Sequence, residues 1–356
     1  MITHYPSYYK DFKCIASKCK TSCCSAGWEI CIDKNTADFY KSVSGKFGDR
    51  LRNNIDFGKQ SKFKLKPDGR CPFLNENNLC DIYINLGSDH LCQICSEHPR
   101  FYECFNNLIE CGLGIYCEEV CRIILSQDKP LTLYDEKTDE NFNLDYNEDV
   151  FNFLYKNRFK IFDYLANDTI RLNQRIADVI WYANILQQDI DSDMLDDEDI
   201  FSITSTTSST IEPLFKYLLK LEQNDEKWFD YLNHNLEVYT NNIDKFEQFE
   251  KENQDISKYL QNLAIYYIYR YFLRGIYDED ILSRVKFMAI NIAILKTLFF
   301  CKWIENNYNL SLMDCVMITK KYSEEIECND DNVINLHIAC YEIDAFSTEN
   351  LIGLFI

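Results

Sequence analysis

"FKCIASKCKTSCC" at residues 12–24 places Cys14, Cys19, Cys23 and Cys24 within eleven residues, the last two adjacent. The chain has 356 residues and 17 cysteines, and thirteen of these lie between Cys14 and Cys121. Two kinds of protein crowd thiols this way: exported proteins stapled by disulfides, and proteins that hold soft metals. The opening "MITHYPSYYKDFKC" has no basic stretch followed by an apolar run, so no export signal is read there. A chain of this length can also bury a core without staples. The expectation is a cytoplasmic protein whose thiols bind metal.

Outward from this stretch the chain changes character. Five of its six prolines fall in the first 130 residues, where short elements are expected. "CIDKNTADFYKSV" (31–43) reads as a helix capped by Asp33, with Phe39 and Tyr40 on its apolar side. "SKFKLKP" (61–67) alternates lysine with apolar residues and reads as a charged edge strand. From about residue 145 the apolar residues recur at helical spacing, in 147–167, 168–190, 211–223, 257–276 and 279–307. Between them, 191–210 is first acidic and then rich in Ser and Thr, as a mobile loop is. The expected architecture is mainly α: an irregular cysteine-rich metal-binding domain over 1–125, packed on an all-α domain over 145–356.

The net charge of −20 argues against nucleic-acid binding, which calls for a basic surface. The greasiest window, 287–301, carries Asn291 and Lys296 and reads as a buried helix, so no membrane partner is expected. In "YYIYRYF" (266–272) the tyrosines read as core, while Arg270 needs an anion or a solvent face. Cys301, Cys315, Cys328 and Cys340 read as small core residues.

Thiolates suit zinc, copper(I) and iron–sulfur clusters, and one site takes about four of them. Thirteen exceed one site, so either two sites exist or several cysteines are bystanders. Adjacent Cys23 and Cys24 diverge and do not easily share one tetrahedral ion. Cys92 and Cys95 form the one C-x2-C pair of the zinc-knuckle kind. Spacing leaves the metal open.

Taken together, "PSYYKDFKCIASKCKTSCCSAGWEICIDKNTADFYK" (6–41), "CPFLNENNLCDIY" (71–83), "CSEHPRF" (95–101) and "YCEEVCRIIL" (116–125) resemble the flagellin lysine-N-methylase family and its wider group of cysteine-cluster proteins. Phe12, Gly27–Trp28, Ile32–Asp33, Pro72–Phe73–Leu74 and Pro99–Arg100 agree as well, and "YYIYRYF" echoes the family weakly. The resemblance implies Cys14, Cys19, Cys23, Cys24, Cys71, Cys80, Cys95 and Cys117 as metal ligands. It leaves Cys31, Cys92, Cys104, Cys111 and Cys121 outside the pattern. It further implies methyl transfer from S-adenosylmethionine to lysines of flagellin, with an iron–sulfur cluster, [4Fe–4S], on the cysteines, zinc being the alternative metal.

A lysine amine attacks only when neutral, so a base is required. Tyr83, Glu97 and Tyr102 lie nearest the motifs, but no catalytic residue is legible. No glycine-rich turn of the Rossmann kind is present, and G-x-G in "CGLGIYC" reads as a turn. Arg100 has the planar fork that clamps a carboxylate such as that of S-adenosylmethionine, or it forms a structural ion pair. His98 reads as a supporting or core residue and Trp28 as a packing anchor. The rival readings are a metal-storage module and a redox protein.

Overall fold

The computed structural model describes residues 1–139, 142–195, 201, 203 and 208–356. The loop expected over 191–210 lies in large part outside these residues. The protein is mainly helical, with 59% helix and 9% strand. It forms two compact units. One comprises Asp11–Phe101 with Cys117–Val120; the other comprises Met1–Lys10, Tyr102–Tyr116 and Cys121–Ile356.

The cysteine unit is built from short pieces. Helix Lys34–Ser42 starts where Asp33 accepts a hydrogen bond from the Thr36 N–H (2.9 Å), as its sequence suggests. Its Ala37 and Tyr40 are three residues apart, so both face inward and are buried. Tyr40 has no exposed surface, and its hydroxyl donates to the carbonyl of His90 (2.6 Å). Phe63 and Phe73 meet edge to face at 5.2 Å within the same core. A three-stranded sheet runs in the order Cys31–Ile32, Ser61–Phe63, Ile55–Asp56. Ser61–Phe63 is therefore the central strand, which corrects the edge-strand reading of 61–67. The alternation is real, but pairing occupies only three residues. Lys62 reaches out to Glu29 (2.6 Å) while Phe63 turns into the core.

The helical unit carries a four-stranded sheet in the order Arg100–Cys104, Leu108–Leu113, Ile2–Pro6, Leu133–Lys137. Ile2–Pro6 is parallel to Leu108–Leu113 and antiparallel to Leu133–Lys137. Gly112 lies inside a buried strand, so the G-x-G of "CGLGIYC" is not a turn; the chain turns only after Leu113.

Helices follow the apolar periodicity. Leu282–Glu305 is the central one, buried along almost its whole length. By length and composition it could cross a membrane, but 83% of its apolar window is buried inside the protein. Helices Glu148–Leu165, Leu172–Asp191 and Gln254–Tyr271 contribute long buried faces. Cys301, Cys315 and Cys340 are buried core residues as read, but Cys328 is exposed, one residue past the Ser323–Glu327 turn that ends its helix.

Candidate functional site

All eight cysteines of the family pattern fall in the cysteine unit. The loop from Cys14 to Cys24 is held by short turns. Cys19 closes one on Ala16 (3.1 Å), and Cys23–Ser25 forms another, begun by Ser22 accepting from the Cys24 N–H. Trp28 anchors this loop: its indole N–H donates to the Cys23 carbonyl (2.8 Å), and its ring stacks on His98 at 5.8 Å. The loop is tied to two other segments. Cys71 N–H donates to the Cys24 carbonyl (2.8 Å), and Glu118 accepts from the N–H groups of Lys20 (2.8 Å) and Thr21 (3.3 Å). The second tie brings Cys117, the residue before Glu118, to the loop.

The thiols act on one another. Cys23 holds its proton well above the ordinary range, first through its hydrogen bond to Cys24 and then through burial, with Cys24, Cys14 and Cys117 adding. That same bond brings Cys24 down to about 7 against its own burial, with Ser22 helping. Burial pushes Cys71 up to about 12 against the backbone N–H groups of Phe73 and Leu74, and Cys24 and Cys80 add. Burial also raises Cys80 against the N–H groups of Tyr83 and Ile82. Cys95 is raised by its bond to Cys92, then by burial, then by Cys92, Cys24 and Cys71. Cys92 is lowered by that bond.

Among the described residues no three His, Cys, Asp or Glu side chains stand at ready-made metal geometry. The thiols instead pair as protonated donors and acceptors. All eight thiols lie in one unit, and the backbone N–H groups of Phe73 and Leu74 lower Cys71, and those of Tyr83 and Ile82 lower Cys80, against burial. An N–H aimed at sulfur favours its anion, the form that binds metal.

Cys92, outside the family pattern, is buried beside Cys95 and Tyr40. Its C-x2-C spacing is the signal that could have flagged it. Cys31 lies in a strand with Glu29 as its neighbour (3.9 Å). Cys104, Cys111 and Cys121 belong to the helical unit, where the Cys121 thiol donates to the Ile115 carbonyl (2.6 Å).

Arg100 donates to the carbonyls of Ser96 (3.3 Å) and Glu97 (3.5 Å), and its guanidinium lies 5.5 Å from the Phe12 ring centre. Tyr83 and Tyr102 are exposed.

The helical unit has its own buried charges. Arg158 forks onto Glu110 with bonds of 2.6 and 2.5 Å, neither side chain more than 2% exposed. Burial alone would raise Glu110, but the charge and hydrogen bonds of Arg158 bring it below the usual range. Arg270 finds its anion in the chain itself. It pairs with Glu327 (3.0 Å), which also accepts from the hydroxyls of Tyr266 (2.9 Å), Tyr271 (3.0 Å) and Ser323 (2.9 Å). Sequence reasoning missed Glu103, a half-buried carboxyl raised by burial despite Arg274 and Arg270 nearby. A small cleft is lined by Tyr8, Gln127, Lys129, Asn262 and Tyr266, among others.

A cysteine-rich unit joined to a mainly helical unit is the class of molecule this structure defines. Residues 158–354 match the family model described as the FliB lysine N-methylase C-terminal domain, and the chain belongs to that family. It is 31% identical over 140 residues to the flagellar biosynthetic protein FliU of Salmonella muenchen, covering 37% of this chain and 82% of that protein. It is 32% identical over 143 residues to the lysine-N-methylases of Salmonella choleraesuis (strain SC-B67) and Salmonella typhimurium (strain LT2). Those alignments cover 37% of this chain and 34% of each relative, so the chain spans about a third of their length. No solved structure matches the chain.

Proposed function

We propose that the protein is a lysine N-methyltransferase that moves methyl groups from S-adenosylmethionine to flagellin, with an iron–sulfur cluster on its cysteines. The observation that carries this reading is the family match over 158–354. The names of the relatives add lysine methylation and a flagellar role.

In such a reaction the lysine nitrogen attacks the methyl carbon as the carbon–sulfur bond breaks. S-adenosylhomocysteine leaves neutral, and the surplus proton passes to a base. Neutralising a free lysine near pH 7 costs about 4–5 kcal/mol, so the site must desolvate the amine or place an acceptor beside it. A carboxyl whose proton affinity is raised by burial has the right character for that acceptor. Arg100 is the cation proposed for the donor's carboxylate. Cys14, Cys19, Cys23, Cys24, Cys71, Cys80, Cys95 and Cys117 would hold the cluster, or zinc in its place. A thiolate-bound cluster supplies a Lewis-acidic iron and a cross-link between loops. The compartment proposed is the cytoplasm, where flagellin is met before export and thiols stay reduced.

The test is the intact mass of flagellin from the same bacterium, incubated with anaerobically purified protein with and without S-adenosylmethionine. The expected result is a ladder of single-methyl increments only when both are present. Unmodified flagellin, from protein shown to carry its metal, would sink the reading.

A further inference from the structure

We propose that the outward face of helix Asp330–Glu342 docks the protein substrate, through a segment that carries apolar residues with lysines beside them. This rests on the reading that the protein methylates lysines of another protein, and adds where that protein is held.

The helix belongs to the helical unit and has two apolar faces. Leu336, Ala339 and Cys340 are buried and pack inward, where helix Leu282–Glu305 lies. Ile334, Ile338 and Tyr341 recur at i, i+4 and i+7, so they line the opposite side as one strip. The strip is about 10 Å long at the rise of an α-helix. Its three side chains are 53%, 44% and 59% exposed. A single exposed apolar residue is ordinary, but a solvated helix face carries polar residues at such positions, and three apolar ones in register mark an interaction surface.

Tyr341 is held in place. Its hydroxyl donates to Asp280 (2.6 Å), which also accepts from the Ser283 N–H (3.0 Å) and pairs with Arg284 (3.0 Å). Its ring centre lies 5.7 Å from the Lys286 ammonium, which donates to the Cys340 carbonyl (3.0 Å). An aromatic side chain fixed before a partner arrives loses little rotamer freedom on binding.

Charge decides the occupant. Asp330 and Asp331 stand at the start of the strip and Glu342 at its end, exposed on the same side of the helix. Among the described residues none of these three carboxylates has an ion-pair partner. The cations beside the helix are engaged, Arg284 with Asp278 and Asp280, and Lys286 with the backbone. From Tyr322 to Ile356 the chain has eight acidic residues and no lysine or arginine. A second copy laid on the strip would bring carboxylate to carboxylate, which opposes pairing. A lysine-bearing segment supplies the missing cations, while its apolar residues cover Ile334, Ile338 and Tyr341. Lysines are also what the proposed reaction consumes, so its substrate carries them.

The experiment titrates full-length, anaerobically purified protein with flagellin from the same bacterium and reads Kd, alongside KM and kcat for its methylation. Ile334→Ala/Ile338→Ala should raise Kd and KM about tenfold and leave kcat unchanged, as loss of docking alone does. Asp330→Asn/Asp331→Asn/Glu342→Gln should weaken binding at low salt and flatten its dependence on salt. Ile243→Ala truncates an exposed isoleucine elsewhere in the helical unit and should change neither constant. Unchanged Kd in both sets of variants, from a parent that methylates flagellin, would overturn the docking and leave the methylase reading standing. A fall in kcat with Kd unchanged would overturn it equally. A parent that carries its metal but neither binds nor methylates flagellin would overturn both. Sedimentation supplies the last comparison: a parent dimer that Ile334→Ala/Ile338→Ala splits would give the strip to self-association instead.

Discussion

At the scale of single residues, the sequence named chemistry more readily than partners. Arg270 stood out because arginine is seldom buried alone, yet nothing local pointed to Glu327, 57 residues further on. Nothing in the sequence singles out Arg158 and Glu110, although they form the most enclosed ion pair among the described residues. That pair makes a sharp prediction. Arg158→Met leaves the Glu110 carboxylate buried without its partner and should destabilise the helical unit by about 3–5 kcal/mol. Glu110→Leu combined with Arg158→Met removes both charges and should recover most of that loss. Urea unfolding followed by circular dichroism measures both, and a double variant as unstable as the single one would show that the pair is not the cause. The cysteines were legible for the opposite reason: ligand chemistry needs particular side chains at recurring spacings, and these survive in one dimension. What spacing could not show is which thiols meet. Cys92 was set aside on pattern alone, and its bond to Cys95 appears only once the chain is folded.

At the scale of elements, the long helices were legible because their apolar faces repeat every three or four residues. The family match at 158–354 falls in this helical half, where the sequence had offered only the echo in "YYIYRYF". The strands were less legible. Pairing of Ile2–Pro6 with Leu108–Leu113 joins segments about a hundred residues apart, and two- and three-residue strands carry too little alternation to reveal who pairs with whom. A prediction on pH belongs here. His337, on helix Asp330–Glu342, is lowered from 6.5 to about 4 by burial, with Arg284 and Arg274 adding and Asp280 opposing. The folded state therefore resists a proton that the unfolded chain accepts. His337 leaves stability intact above pH 6.5 and erodes it as pH falls from 6.5 towards 4. The full effect is at most about 3 kcal/mol. His337→Leu should flatten the curve in that window, while Asp280 and Glu110, both held low, act further down. Parallel curves for parent and variant in urea titrations across the window would remove His337 as the cause.

At the scale of the whole molecule, composition announced two kinds of chain, and the structure shows how they share one polypeptide. The helical unit takes its strand Ile2–Pro6 from before the cysteine unit and Leu108–Leu113 from after most of it. A fragment of residues 126–356 keeps strand Leu133–Lys137 but loses the partner beside it, and strands Arg158 without Glu110. It should fail to give one cooperative unfolding transition, and a sharp transition with parent-like stability would refute that. Metal, as proposed, adds a second asymmetry. Thiolate coordination closes loops between Cys14 and Cys117, and binding to a site absent from the unfolded chain is folding free energy for the unit that contains it. Removing metal with a chelator under anaerobic conditions should therefore act locally. Amide exchange should quicken across residues 11–101 and 117–120, while the buried helix Leu282–Glu305 keeps its protection. Exchange that rises equally in that helix would mean the two units unfold together. Exchange unchanged everywhere, in protein shown to have lost its metal, would mean that the thiols hold the metal without relying on it for structure.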